Sequence, residues 1–393
     1  MTRSATDAAA RPNRPVYLDN QATTHCDPRV VAAMLPWFTA QYGNPASAEH
    51  IMGRIAEAAV EAARAHVASL LGADPREIVF TSGATESNNI AIKGAARFAA
   101  KMGDPRRRLV TVATEHKCVL ESVRDLADEG FEPVFLPVGR DGLLDPERLR
   151  EALTKPTLLV SVMAVNNETG VIQDIPGLAA IAKAAGALFH TDIAQAAGKI
   201  PVDLTGWRVD LASVSGHKIY GPKGIGALYV RRRPRVRLTP LFSGGGQERG
   251  VRSGTLAAPS IVGLGEACRL AAREMDEETV RIAGLRDRLQ AGLQGTILNG
   301  SAAHRIAGNL NLTFPAATAA AMLARMPDLC VSTGSACSSA EIEPSYVLRA
   351  LGLSDDAARR TLRIGIGRFT SPADIDFAVA SLSAAHAGRL AEA

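Results

Sequence analysis

An apolar run holding Val209, Leu211 and Val214 ends in Ser215-Gly216-His217-Lys218-Ile219-Tyr220-Gly221-Pro222-Lys223-Gly224, a polar turn that presents a lysine. Among short, hydrogen-bonding neighbours Lys218 is one of two things. It is a solvated loop side chain, or it is a partly buried amine of lowered pKa that can attack a carbonyl and form a Schiff base. Other polar clusters follow apolar segments in the same way. Thr81-Ser82-Gly83-Ala84-Thr85-Glu86-Ser87 comes after Val79-Phe80 and opens a helix. It is either an ordinary helix cap or a cradle of backbone N–H groups and hydroxyls at the positive end of a helix dipole, suited to a phosphate.

Glu115-His116-Lys117 follows Val110-Thr111-Val112 and offers a flat imidazole, although isolated histidines are commonly surface or core residues. Asn166-Asn167-Glu168 follows Leu158-Leu159-Val160, and Thr191-Asp192-Ile193-Ala194-Gln195 follows Leu188-Phe189-His190. An acid at the end of a buried strand needs a charged or hydrogen-bonding partner. Taken together, a phosphate cradle, a flat ring, an amide, an acid and a lysine fit pyridoxal phosphate. The lysine forms the Schiff base, the acid meets the pyridinium N–H, the imidazole lies on the ring face, and the phosphate sits on the helix N-terminus.

A second group lies far along the chain. Val331-Ser332-Thr333-Gly334-Ser335-Ala336-Cys337-Ser338-Ser339 is a run of small residues around one cysteine, read either as an exposed thiol on a flexible loop or as a small filler. Arg363, inside the apolar Leu362-Arg363-Ile364-Gly365-Ile366, must face solvent or a carboxylate. The functional form of the second case is a bidentate hold on an amino-acid carboxylate.

The elements that must position these residues are legible as a rhythm. A long helix is predicted from a Ser47 cap to Leu71, stopped by Gly72. Strands are predicted at 77–81, 109–113, 133–136, 157–165, 187–191, 210–214 and 225–231, and most of them alternate with helices. That pattern gives βαβ units in a mainly parallel sheet whose ligands sit beyond the carboxyl ends of the strands. A Gly-rich loop at 243–255 and a long helix over about 257–294 then lead to an α+β segment. The expected class is α/β, with a large domain at 26–268. A smaller α+β domain is assembled from 1–25 and 269–393.

Composition excludes several other functions. A formal charge of +4 over 393 residues, with short arginine clusters at 106–108 and 231–237, gives no basic stripe for direct nucleic-acid binding. No run of about 18 apolar residues is present to span a membrane. Residues 1–14 read as a disordered tail without the apolar stretch of a secretory signal; the second reading, a transit peptide, is disfavoured by the short length and by Asp7. The five cysteines, Cys26, Cys118, Cys268, Cys330 and Cys337, are scattered without a CxxC pair, which points away from a metal site or disulfides and towards the reducing cytoplasm. Cys118 and Cys330 read only as small apolar fillers.

Several blocks resemble the cysteine desulfurases, fold-type-I pyridoxal-phosphate enzymes of the class V aminotransferase group. They include Tyr17-Leu18-Asp19-Asn20-Gln21-Ala22-Thr23-Thr24, Gly43-Asn44-Pro45-Ala46-Ser47, the 78–87 and 215–224 turns, Val165-Asn166-Asn167-Glu168, Gly244-Gly245-Gly246-Gln247-Glu248-Arg249-Gly250 and Glu343-Pro344-Ser345-Tyr346. The resemblance implies conversion of L-cysteine to L-alanine, with the sulfur left on the enzyme as a persulfide. It implies that Lys218 carries the cofactor and moves protons at the substrate Cα, and that His116 stacks on the ring as a candidate acid or base. Asp192 would face the pyridine nitrogen, with Gln195 and Asn167 near the ring oxygen and substrate. Ala84, Thr85, Ser215 and His217 would hold the phosphate, joined by Thr255 from the other subunit of a homodimer. Arg363 would take the substrate carboxylate, and Cys337 would attack the sulfur. The Ser-Ala-Cys-Ser-Ser setting resembles the long-loop group that feeds sulfur-acceptor proteins such as an iron–sulfur scaffold. Rival readings are a selenocysteine lyase or another class V aminotransferase, and a non-catalytic sulfur-transfer platform.

Overall fold

The computed structural model describes residues 15–334 and 344–388. The expected tail at 1–14 and Cys337 lie outside the described residues. Among the described residues the strands are β1 (Val16–Tyr17), β2 (Ile78–Thr81), β3 (Arg108–Val112), β4 (Glu132–Leu136), β5 (Thr157–Ser161), β6 (Leu188–Asp192), β7 (Leu211–Ser215), β8 (Gly226–Val230), β9 (Ile297–Leu298), β10 (Asn309–Thr313), β11 (Leu329–Cys330) and β12 (Thr361–Gly365). Seven of them make one sheet in the order β2-β8-β7-β6-β5-β3-β4. Only β8 runs against its neighbours. The expected α/β class with a mainly parallel seven-stranded sheet is borne out.

The central strands are apolar and buried on both faces. Every residue of β5 and β7 is buried, as a parallel sheet covered by helices requires. Helices Ala84–Lys101 and Lys117–Asp125 follow β2 and β3. On another side, helix Ile51–Leu70 buries Ala56, Val60, Ala63 and Val67 at helical spacing and packs along the long helix Ala258–Gly292.

Helix Ile51–Leu70 starts later than the sequence predicts. Ser47 is spent in a turn, its N–H donating to the Asn44 carbonyl, and the cap is His50, whose Nδ1 accepts from Gly53 N–H at 3.1 Å. Strand β5 also ends short of the predicted Val165. The Met163 N–H leaves the ladder to donate to the buried Glu115 carboxyl at 2.5 Å.

The remaining strands form two small sheets. One is antiparallel, β12-β10-β9, and the other pairs β1 with β11 in parallel. They enclose a separate apolar cluster that includes Leu18, Leu289, Leu312, Phe314, Leu362 and Leu382. From β1 the chain crosses to the lysine turn, where Thr24 N–H donates to the His217 carbonyl and Asp27 N–H to the Tyr220 carbonyl. Among the described residues no helix is long and apolar enough to cross a membrane.

Candidate active site

The carboxyl ends of β2, β3, β5, β6 and β7 converge on one open cavity of about 640 Å³. Ala84, Thr85, His116, Asn167, Asp192, Gln195, Ser215, His217, Lys218 and Arg363 all line it. Thr255 does not line it; it is exposed on the Gly-rich loop.

The cradle after β2 depends on two glycines. Gly83 has φ 148°, in the range that favours glycine. A side chain at Gly226 of β8 would stand 2.6 Å from the Gly83 Cα. The strand end and the neighbouring strand therefore approach backbone to backbone. Helix Ala84–Lys101 then opens with no side chain capping its first N–H groups, which leaves its positive end directed at the cavity.

Asp192, the last residue of β6, is held on both oxygens. Oδ1 accepts from Ala194 N–H at 2.9 Å and Oδ2 from Asn88 Nδ2 at 2.7 Å. The sequence reading missed Asn88. Its signal was its place one turn after Ala84 on the same helix.

Lys218 donates from Nζ to the carbonyls of Gln21 and Ala22 at 2.6 and 2.7 Å. Burial, with the Arg363 charge adding to it, lowers its pKa to about 8. Of the two readings of this lysine, the structure has the partly buried one. His217, beside it, is pushed down to about 4 by burial and then by Lys218, so the ring is neutral. Its Nδ1 lies 3.0 Å from Thr23 Oγ1. Gln195 donates from Nε2 to the Gln21 carbonyl at 2.8 Å, and its Oε1 accepts from Lys199 at 2.6 Å.

Arg363 reaches the cavity from β12, buried at 4% exposure although the strand around it is apolar. Its Nη2 pairs with Asp19 at 2.7 Å, so of solvent and a carboxylate it faces the carboxylate, and Nη1 donates to the Asn167 carbonyl at 3.0 Å. Its Nε and the Asn167 Oδ1 are buried without a partner. Such orphans at a cavity wall are groups a ligand can satisfy.

The chemistry this arrangement allows is amine attack on a carbonyl, next to an anchored acid, an imidazole and an anion-binding helix start, with a guanidinium on the far wall. His116 is exposed to the cavity. Cys118, expected only to fill space, lines the cavity with it at 2.9 Å between Sγ and Nδ1. Its spacing two residues after His116, on the helix that His116 caps, was the missed signal.

The fold is that of a class V aminotransferase. The chain belongs to that family, whose model it matches over residues 16–377. Within the family it is 56% identical over 370 residues to a mitochondrial cysteine desulfurase of Arthroderma benhamiae, covering 93% of this chain and 73% of that one. It is 53% identical over 372 residues to cysteine desulfurase IscS of Rickettsia felis, covering 94% of this chain and 90% of that one. Among solved structures, a NifS-like protein superposes with a TM-score of 0.87 at 36% identity, covering 94% of this chain and 98% of the other. DndA of Streptomyces lividans gives 0.77 at 45% identity, covering 88% and 98%.

Proposed function

We propose that this chain is a cysteine desulfurase that converts L-cysteine to L-alanine and leaves the sulfur as a persulfide on Cys337. The observation that carries this reading is the make-up of the cavity wall. Lys218, Asp192 and His116 face a wall that contains Gly334, three residues before Cys337 in the chain. The segment that carries Cys337 therefore departs from the wall of the same cavity.

The residues present fit pyridoxal phosphate. The uncapped helix start at Ala84 and Thr85, with Ser215 and His217, would hold its phosphate. Asp192 would pair with the ring nitrogen, and Lys218 would bind its aldehyde carbon. When bound, the cofactor supplies an electron sink that makes the Cα proton of an amino acid acidic. Lys218, as a neutral amine, takes and returns the proton at Cα. Arg363 holds the carboxylate, its unpartnered Nε offering a further donor. The Cys337 thiolate forms the new S–S bond as the Cβ–S bond breaks, and the electron pair stays with the carbon fragment that becomes alanine.

The domain division expected at 26–268, against 1–25 with 269–393, is supported by the core under the small sheets, which is separate from the two clusters that pack on the large sheet. A homodimer in which Thr255 reaches the partner's cavity is supported by large apolar side chains left exposed, among them Leu35, Phe38 and Tyr42. A cytoplasmic location is supported by the free thiols of Cys26, Cys118, Cys268 and Cys330. The acceptors of the sulfur would be proteins such as an iron–sulfur scaffold, in keeping with the IscS name of relatives.

The purified protein should be yellow and should release alanine and, with a thiol reductant, sulfide from L-cysteine. Cys337→Ala should keep the colour while losing persulfide formation by about a hundredfold or more. Full-rate persulfide formation in that variant would refute the proposal. A pH dependence follows from Lys218. Its amine is protonated below about pH 8, and only the neutral form attacks a carbonyl. The rate at which cofactor-free protein regains its colour on adding pyridoxal phosphate should therefore rise through about pH 8 and level off above it. A midpoint near the ordinary lysine value would contradict the burial argument.

A further inference from the structure

We infer that Cys118 and the start of its helix hold His116 as the neutral imidazole with its proton on Nε2, so that Cys118 is a positioning residue for His116. The inference rests on the functional reading above only for its consequence, not for its geometry.

His116 is the N-cap of helix Lys117–Asp125, and its Nδ1 accepts the backbone N–H of Cys118 at 3.3 Å. A backbone N–H can only donate, so Nδ1 must present a lone pair. The Cys118 sulfur stands 2.9 Å from the same nitrogen. Other neighbours fix the direction of that contact. Asn88 Nδ2, which must face Asp192 Oδ2 at 2.7 Å because a carboxylate only accepts, also donates to Cys118 Sγ at 3.2 Å. Thr85 bonds the sulfur as well. With donors already on the sulfur, the thiol proton is the one group left to point at Nδ1. Burial, and then the nearby Asp192, push the Cys118 thiol up to about 12, so it keeps that proton.

The charges that face the ring oppose one another. Asp192 from β6 favours the imidazolium, while Lys218 from the turn after β7 and Lys117 on the ring's own helix disfavour it, and burial lowers the His116 pKa overall. The positive end of the helix acts in the same direction as the lysines. Glu115, adjacent in the chain, adds no full charge, since burial and then Asp192 raise its carboxyl well above the usual range. An imidazolium would need a proton on Nδ1 and would forfeit both donors there.

His116 therefore presents a hydrogen at Nε2 in the resting protein and has no free lone pair for the Cα proton. Under the proposed reaction that leaves proton abstraction at Cα to Lys218. His116 serves as a neutral hydrogen-bond donor within the cavity.

The test is the ring nitrogen spectrum of 15N-histidine-labelled protein, with and without pyridoxal phosphate, with His116 identified by its absence in His116→Gln. The expected result at neutral pH is a protonated-type Nε2 and an unprotonated-type Nδ1. Assignment of the proton to Nδ1, or an imidazolium, overturns the inference even if the protein proves to be an active desulfurase. Conversely, the expected spectrum in a protein without desulfurase activity would uphold the geometry and sink only the functional reading. Cys118→Ala removes one donor to Nδ1, destabilises the neutral ring and should raise the His116 titration midpoint by about half a unit or more. Cys118→Ser, which restores a donor, should bring the midpoint back. An unchanged midpoint in both variants removes Cys118 from the mechanism and leaves the backbone N–H as the sole holder.

Discussion

Lys218→Ala is expected to yield a protein that loses pyridoxal phosphate on dialysis and forms sulfide from cysteine at least about a thousandfold more slowly. The size of the effect follows from the cavity. Lys117 and Lys223 also line it, but only Lys218 leaves β7 at the strand end, with Nζ fixed on the Gln21 and Ala22 carbonyls. There burial, and then Arg363, bring its amine down to about 8. Lys218→Arg separates charge from nucleophilicity. It keeps a cation beside Asp192 yet cannot form the covalent link, so it should lose activity to the same degree while binding the cofactor more firmly than the alanine variant. Cofactor retention by absorbance after dialysis, and alanine formation by amino-acid analysis, decide the matter. If Lys218→Arg kept a tenth of the wild-type rate, the covalent role would be wrong.

Much of this site was legible because a parallel sheet orders its own active site. Once alternating strands and helices are recognised, ligand-facing residues must lie directly after strand ends, and Asp192, His116 and Lys218 were found that way. What sequence could not supply was the partner of each group. Asn88 looks like any polar helix residue until the sheet places it against Asp192, 104 residues away in the chain. Cys118 looked like a filler because its value lies in a side-chain contact with the cap residue two positions back, which periodicity does not encode. Arg363 was found as a charge in an apolar strand, but the carboxylate that pairs with it, Asp19, is 344 residues distant and arrives through the N-terminal crossing. Helix Ile51–Leu70 shows the reverse failure. Its existence is legible, but both its face and its cap are misplaced. The near-helical spacing of Ile51, Ile55, Ala58, Ala62 and Val67 suggests the packed stripe, yet all but Val67 are exposed and Ala56, Val60 and Ala63 are buried instead. Ser47 and His50 can both cap, and the Asn44 turn decides between them.

Glu248→Ala should destabilise the protein by about 3–5 kcal/mol without touching any cavity-lining residue. Glu248 and Arg64 form a buried pair, with side-chain exposures of 1% and 3%. The pair is bidentate, at 2.8 Å on both arms. Glu248 Oε2 also accepts the Phe80 N–H at 2.7 Å, and the Arg64 guanidinium lies 4.6 Å from the centre of the Phe80 ring. Removing the carboxylate leaves a buried cation with the neutral Ile78 carbonyl and the exposed Glu61 beside it and an orphaned N–H in β2. The cost is therefore that of an uncompensated charge, not of one lost bond. Since Phe80 precedes the Gly83 turn by three residues in the chain, the same variant should also weaken cofactor retention. Lys218→Ala, by contrast, should leave folding stability near wild type once both are measured without cofactor. Urea unfolding of the cofactor-free proteins measures the first effect. A double variant, Arg64→Met with Glu248→Leu, should recover a large part of the loss, because apolar groups of similar volume need no partner. A loss below about 1 kcal/mol in Glu248→Ala would mean that the pair is solvated in the folded protein and that the Gly-rich loop is anchored elsewhere.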